Sequence, residues 1–202
     1  MGSRIMHLII SNQIANKIPI PDKQSFLIDG VAPDAVSPKD LSHFYSGNHA
    51  DYTRTIDYEG FLQKYQSNQN SAYILGYYSH LIADELWLSG FYLPWLKNRM
   101  EANQDIHQLY HNDFRLLNGK LLAHYDLTAN VLNELVINSS IIDLDEVKVK
   151  EVKAFLPYLI EDCQYDKKEL DEKLNVFTIE QIIGYIETSV EKAIFHLNAL
   201  IK

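Results

Sequence analysis

Apolar residues recur at helical spacing along most of the chain, and no segment shows a convincing alternating strand pattern. A first helix is predicted over Arg4–Lys17. A long last helix opens at Thr178, where Gln181 completes a capping box, and its apolar stripe runs to Ile201. The pattern therefore predicts an all-α fold, a single-domain helical bundle.

The same spacing predicts further helices between these two. They cover residues 58–66, 73–87, 95–100, 103–138 (as one helix or two), 144–160 and 166–174. The segment 29–57 differs, because Gly30, Pro33, Pro38 and Gly47 punctuate it. We expect a long ordered loop there with one helical turn at most. Loops of this length are uncommon in compact domains and often carry function, so the segment is expected to contribute to a site.

The helix predicted over 73–87 carries His80 and Asp84 four residues apart inside an apolar run. This spacing places both side chains on one face, where they can converge on one point. The rest of the helix is apolar nearly all round, which is typical of a buried helix. A buried imidazole and carboxylate need compensation. Either a divalent metal bound by both residues or a hydrogen bond between them would provide it.

Other candidate ligands lie in the first half of the chain. His7 is surrounded by apolar residues on the first helix, Asp34 lies between two prolines, and His43 follows Ser42 in the long loop. A core histidine would explain His7 alone, and a helix N-cap would explain Asp34 alone. Their clustering in one region of the sequence favours a shared role.

Two further histidines and one acid lie downstream. His111 and Asp113 are two residues apart and point away from each other on a helix, so only a bend or a multi-metal cluster would use both. His107 precedes His111 by one turn and competes for the same role. His196, on the last helix, is expected to be structural.

Length and composition narrow the class of protein. We interpret the 202 residues as one domain, with a metal-site region over 1–125 and a helical C-terminal scaffold over 126–202. The single cysteine, Cys163, fits a reducing compartment, and no run is long enough to cross a bilayer, so a cytoplasmic location is expected. The net charge of −9 disfavours nucleic acid as a partner. It leaves phosphate esters open as substrates, because bound metal would dominate the local charge.

The order of these fragments resembles the zinc-dependent phospholipase C family. That all-helical family includes the catalytic domain of glycosylphosphatidylinositol-specific phospholipase D, and the single-strand-specific zinc nucleases are more distant fold relatives. The matching pieces span residues 4–122. They are His7 on the first helix, the PDAV loop with Asp34, the SHFY segment with His43, the His80-x3-Asp84 helix followed by Trp87, and His111 and Asp113 before Phe114.

The resemblance implies up to three zinc ions held between helices. Asp34, His43, His80 and Asp84 would surround one ion, Asp84 would reach a second that also meets His7, and the third would bind His111 and Asp113. Relatives also use the amino group of an N-terminal Trp and a further His just after the His-x3-Asp pair. This chain has MGSRIM and Leu88–Ser89–Gly90 at those places, so one to three ions are expected.

The resemblance also implies a zinc-dependent hydrolase of phosphoric esters, phospholipase C-like, with Asp34 as general base or as the group that orients the attacking water. The substrate would be a small-molecule or lipid phosphoester. The alternative is a non-catalytic helical protein with a structural or degenerate metal site that binds a partner. The amphipathic last helix could also pair with a second copy in a homodimer.

Overall fold

The computed structural model describes residues 3–127, 131, 135 and 141–201, and it is mostly helical throughout them. The α-helices are α1 Arg4–Lys17, α2 Lys23–Asp29, α3 Tyr58–Lys64, α4 Ala72–Trp87, α5 Lys97–Ala102, α6 Asp105–His124, α7 Val149–Asp162 and α8 Ile179–Leu197. Short 3-10 turns cover Ala32–Ala35, Gln66–Asn68 and Lys167–Asp171, and a π-helical segment covers Leu88–Leu96. Strands β1 Tyr45–Ser46 and β2 Thr55–Ile56 pair antiparallel. The predicted all-α class is confirmed.

The first and last helices begin where the sequence predicts. At α8 the Gln181 amide donates to Thr178 Oγ1 at 3.2 Å and the Thr178 amide donates to Gln181 Oε1 at 2.9 Å, so the predicted capping box is formed. Helix α8 ends at Leu197, four residues earlier than predicted. Residues 166–174 form only a short 3-10 turn, and much of the predicted 103–138 helix beyond α6 lies outside the described residues.

The long segment 29–57 is more structured than predicted. It contains the Ala32–Ala35 turn and the β1–β2 hairpin, in which Tyr45 faces Ile56 and Ser46 faces Thr55. The sequence pattern missed this hairpin because two residues per strand are too few to show an alternation. The hairpin returns the chain toward α3, so the loop is folded back against the helices rather than extended from them.

Helix α4 is the centre of the fold. It packs against α1, α2, α3 and α8, and all of its residues from Ala72 to Asp84 are buried. Because neighbours surround it, its apolar residues are distributed around the whole helix instead of forming one stripe. The helical path then continues without a break through Leu88–Leu96 into α5, where the sequence predicted a separate short helix. No helix within the described ranges has the length and apolar character needed to cross a membrane.

The contact between α4 and α2 depends on glycine. A Cβ atom on Gly76 would lie 2.4 Å from the carbonyl oxygen of Phe26, and one on Gly30 would lie 1.9 Å from Ser11 Oγ. Both distances are far inside van der Waals contact. Helix α2 can therefore approach α4 closely only because Gly76 carries no side chain, and its end can approach α1 only because Gly30 carries none. These approaches bring the end of α2 alongside His80.

We predict that Gly76→Ala destabilises the fold, because the new methyl group meets backbone that cannot move aside. The expected loss in the free energy of unfolding is about 1–3 kcal/mol, measured by urea denaturation. Gly184→Ala is the matched control, since a Cβ there meets nothing within 4 Å in the exposed part of α8. That control should gain roughly 0.5–1 kcal/mol from helix propensity. Equal responses of the two variants would contradict the close approach.

Candidate metal centre

Five of the predicted site residues converge at one buried point. His80 and Asp84 come from α4, His7 from α1, Asp34 from the turn after α2, and His43 from the loop before β1. Four of them are each no more than 1% exposed, namely His7, His43, His80 and Asp84. The side chain of Asp34 is 4% exposed, so it lies at the edge of the group.

Asp84 is the residue that three imidazoles approach. His7 Nε2 lies 3.2 Å from its Oδ1, and His43 Nε2 and His80 Nε2 lie 3.2 and 3.6 Å from its Oδ2. His43 Nε2 is also 3.5 Å from Asp34 Oδ1 and 3.3 Å from His80 Nε2. The ring of His7 stacks on that of His80 with centroids 3.7 Å apart. Nitrogen and oxygen donors from four segments thus face one small volume.

These donors form two overlapping groups that could hold a metal ion. One is His43, His80 and Asp84, and the other is His7, Asp34 and His80, with ligand atoms within 4.8 Å of one another in each. Imidazole nitrogen and carboxylate oxygen are the donor types that zinc binds. Because His80 belongs to both groups and one imidazole nitrogen binds one ion, the two groups are alternative positions for an ion that uses His80.

Hydrogen bonds fix two of the imidazoles in ligand orientation. His80 Nδ1 lies 2.9 Å from the Gly30 carbonyl oxygen, which can only accept, so Nδ1 carries the hydrogen and Nε2 presents its lone pair to the cluster. Ser42 Oγ donates to the Lys39 carbonyl and therefore accepts from His43 Nδ1 at 2.9 Å. Outer contacts of this kind are what orient metal-binding histidines in general.

His7 supports a metal in a different way. Within the described part of the chain neither of its ring nitrogens makes a hydrogen bond, although Nε2 is close to Asp84. A fully buried imidazole without hydrogen bonds is costly. An ion on Nε2 would remove part of that cost, so the residues present fit a metal.

Without a metal the cluster balances its own charge. Burial opposes ionisation of Asp34, but the hydrogen bond from His43 and the charge of Lys39 hold its pKa below the ordinary value. Burial also opposes ionisation of Asp84, but the charge of His7 together with the hydrogen bond from His43 outweighs it and lowers the pKa of Asp84. Both carboxylates are therefore ionised although they are buried.

The imidazoles divide into two protonation states. Burial disfavours the charged form of His43, but the bonds to Asp34 and Asp84 outweigh it and raise its pKa to about 9. At His80 burial prevails, reinforced by the charge of His7, and lowers the pKa to about 4. At neutral pH His43 thus holds a proton between two carboxylates while His80 is neutral. A bound metal would take the place of that proton, as ligands must be deprotonated to bind.

We predict a specific pH dependence for metal-free protein. The folded pKa of His43, about 9, exceeds its unfolded value of 6.5, so its stabilising contribution is complete below pH 6.5 and is lost as the pH rises through 9. In the presence of a chelator, the free energy of unfolding should fall from pH 6.5 to 9 in the wild type and less in His43→Gln. Parallel curves for the two proteins would contradict a charged His43.

A cavity of about 470 Å³ opens beside Asp34. Its charged lining combines the acids Asp34 and Asp162 with the cations Arg4, Lys39 and Arg115, and His111 lies at the same wall. A second cavity of about 420 Å³ has an aromatic lining of Tyr45, Tyr92, Tyr110 and Phe114. Lys39, His111 and Phe114 line both cavities. The edge of the metal site is therefore reached from a cleft with one cationic and one aromatic part.

The structure does not bring Asp113 to the cluster. Its buried carboxylate accepts hydrogen bonds from the backbone amides of Asn175, Val176 and Phe177 at 2.7–3.1 Å, just before α8. His111 is exposed at the wall of the cleft, where its ring lies 4.5 Å from that of His107. The two residues predicted to hold a third ion therefore point in different directions on α6, because they are two positions apart.

We predict that Asp113→Asn destabilises the fold by about 1–3 kcal/mol and leaves zinc content unchanged, because a single amide oxygen replaces a carboxylate that serves three amides. Thermal unfolding and elemental analysis measure the two effects. Asp105→Asn, at the exposed start of the same helix, is the control and should change neither. Loss of zinc in the Asp113 variant at unchanged stability would instead make it a ligand.

Sequence reasoning missed the residues that support the ligands. Gly30 orients His80 through its carbonyl, Ser42 orients His43, and Lys39 forms an ion pair with Asp34. Backbone carbonyls leave no signal in a sequence, and a loop lysine is ordinarily solvated. The proximity of Lys39 to the PDAV loop was the one available indication, since the two lie five residues apart.

Comparisons with known proteins do not assign the chain to a family. No family model, no curated protein sequence and no solved structure matches the chain. The class that the fold and the site define is an all-α protein with buried His and Asp groups that could hold a metal ion.

Proposed function

We propose that the chain is a divalent-metal-dependent hydrolase of phosphoric esters, phospholipase C-like in its chemistry, with zinc as the ion. One observation carries the proposal: three imidazoles and two carboxylates from four separate segments meet at the edge of a cleft whose charged lining has three cations and two acids. A merely structural polar core would not need an adjoining cationic cavity.

The ligands would serve one ion at His80 and a second beside His7. His43, His80 and Asp84 would hold one ion, with Asp34 at its edge, and His7 with Asp84 Oδ1 would meet a second, because the single Nε2 lone pair of His80 serves only one ion. A third ion on His111 and Asp113 has no support, since the Asp113 carboxylate serves backbone amides. When bound, zinc lowers the pKa of a coordinated water and stabilises negative charge on phosphoryl oxygens.

The chain's own groups have separable roles in this proposal. Asp34 lies at the boundary between the buried cluster and the cleft, so its carboxylate can orient a water molecule or accept its proton. His43 and His80 are fixed by Ser42 and Gly30, so they need not reorganise to bind. Lys39, together with Arg4 and Arg115, which pair with Asp162 and Glu169, places positive charge where a phosphoryl group would lie.

The cleft also bears on the kind of ester. The cationic cavity adjoins the aromatic one, where Tyr45, Tyr92 and Tyr110 provide flat apolar surface with polar edges. A phosphoester with an apolar or aromatic group would place its phosphoryl part beside Asp34 and its apolar part among these rings. Lipid and small-molecule phosphoesters both meet this description.

A structural metal is the second candidate function, and the depth of the site favours it. His43, His80 and Asp84 are almost completely buried, as in closed structural sites, whereas a catalytic site keeps a position for water. The two candidates differ in coordination: a catalytic ion would bind an added anion such as phosphate, and a closed structural ion would not.

We predict that protein purified without chelator or a metal-affinity step contains at least one equivalent of zinc and hydrolyses bis(p-nitrophenyl) phosphate. His80→Ala should lose the metal. Asp34→Asn should lose roughly 100-fold or more of the turnover, as expected when a general base is removed. Elemental analysis and initial rates measure these effects.

His124→Ala is the control, because His124 lies exposed at the end of α6 and is not among the grouped ligands. It should match the wild type in zinc content and rate. Retained turnover in both Asp34→Asn and His80→Ala would overturn the catalytic assignment, and zinc without turnover on any phosphoester would favour the structural candidate.

A further inference from the structure

Lys39 contacts the metal site from the side of the cleft. Its Nζ forms an ion pair with Asp34 Oδ1, and its side chain is 35% exposed although that of Asp34 is only 4% exposed. The backbone of Lys39 is anchored, because its carbonyl accepts from the His43 amide at 2.9 Å and from Ser42 Oγ at 3.2 Å. A fixed backbone and a half-exposed side chain allow the ammonium group to move while the loop stays in place.

The Lys39 ammonium group pairs with Asp34 Oδ1, a carboxylate oxygen that is also a candidate metal ligand. Asp34 Oδ1 is the oxygen that lies 3.5 Å from His43 Nε2, and Asp34 belongs with His7 and His80 in one of the two candidate ligand groups. A divalent ion and an ammonium group at the same carboxylate oxygen would repel each other at short range in a poorly solvated place. Occupation of Asp34 by one therefore weakens its occupation by the other.

We infer that Lys39 is a resident counter-ion of Asp34 that a divalent ion displaces, and that the released ammonium group then binds the phosphoryl oxygens of the substrate in the adjoining cavity. The first half concerns the metal site alone, and the second half rests on the proposed function. Lys39 is thereby a specificity-determining residue for anionic substrates and also a competitor of the metal.

The other cations of the cavity are less available for this role. Arg4 Nε pairs with Asp162 Oδ2 at 2.8 Å, and Arg115 pairs with Glu169. Neither of these pairs includes a candidate metal ligand, so metal binding leaves both intact. Among the three cations of the cavity, Lys39 is the one whose carboxylate partner the metal would take.

Lys39 also lies where its side chain can contact a substrate bound in the cleft. It lines both the cationic and the aromatic cavity, so its side chain is at their junction. Once it leaves Asp34, the positive charge of the cavity is no longer offset by that carboxylate. Metal and anion should therefore bind with positive coupling, each raising the affinity for the other, as linkage requires.

The first experiment measures zinc alone. Wild type, Lys39→Met and Lys39→Arg are stripped of metal and titrated with zinc against a chromogenic chelator. Lys39→Met should bind zinc roughly tenfold more tightly than the wild type, because the competing charge is gone, and Lys39→Arg should stay close to the wild type. Lys17→Met is the matched control, since Lys17 Nζ also pairs with a carboxylate, Glu191, at 2.7 Å but at the other end of α1.

The second experiment measures an anion. Methylphosphonate, which cannot be hydrolysed, is titrated into the zinc-loaded and the metal-free forms of the same proteins by calorimetry. Zinc loading should strengthen its binding to the wild type. In Lys39→Met that gain should fall roughly tenfold, while Lys39→Arg and Lys17→Met should keep it.

The results separate this inference from the proposed function. Unchanged or weaker zinc binding in Lys39→Met overturns it, even if the wild type is an active phosphoesterase. Tighter zinc binding in Lys39→Met supports the counter-ion role, even if no phosphoester is hydrolysed. If the wild type binds no zinc, a gain of zinc binding in Lys39→Met still supports the inference, and no binding in either protein overturns it.

Discussion

Two buried carboxylates, Asp34 and Asp84, determine the electrostatics of the site, because each needs positive charge beside it. An ionised carboxylate is strongly unfavourable in a protein interior unless positive charge lies next to it. Here that charge comes from His43, which holds its proton between the two acids, and from Lys39, which pairs with Asp34. The neutral imidazole of His80 and the stacked ring of His7 complete the group. The two acids of the site are therefore stabilised by cations that neighbouring segments supply.

The fold supplies this arrangement through the position of α4. Because α1, α2, α3 and α8 surround that helix, His80 and Asp84 are buried. Two of these neighbours also add groups to the site: α1 adds His7 and the end of α2 adds the Gly30 carbonyl. The absence of a side chain at Gly76 brings α2 close enough for the Gly30 carbonyl to fix the tautomer of His80. The same close contact between α2 and α4 therefore stabilises the bundle and also orients His80 as a ligand.

The sequence predicted the helical class and part of the site for clear physical reasons. The spacing of His80 and Asp84 alone placed both on one face, and the two-residue spacing of His111 and Asp113 indicated divergent directions, which the structure shows. The roles of His7, Asp34 and His43 came from the order of motifs that resembles a known family, because distances between separate segments are not encoded locally. The hairpin, the Gly30 carbonyl and Lys39 could not be predicted, since each depends on how distant segments meet.

Because the metal-free cluster already balances its own charge, metal uptake by this protein must displace cations that are present. An open cage of bare carboxylates would gain the full attraction of a divalent ion, but this cluster already holds a proton on His43 and an ammonium group on Asp34. Uptake of an ion is then an exchange, in which one or both resident cations leave as the metal enters. The free energy of exchange is smaller than that of binding to unpaired acids, and the cluster can fold without the ion. Burial and ionised acids alone consequently do not distinguish a structural from a catalytic metal, whereas the fate of the displaced cations does: the His43 proton is released to solvent, but the Lys39 ammonium group stays in the cleft, where a phosphoryl group would meet it.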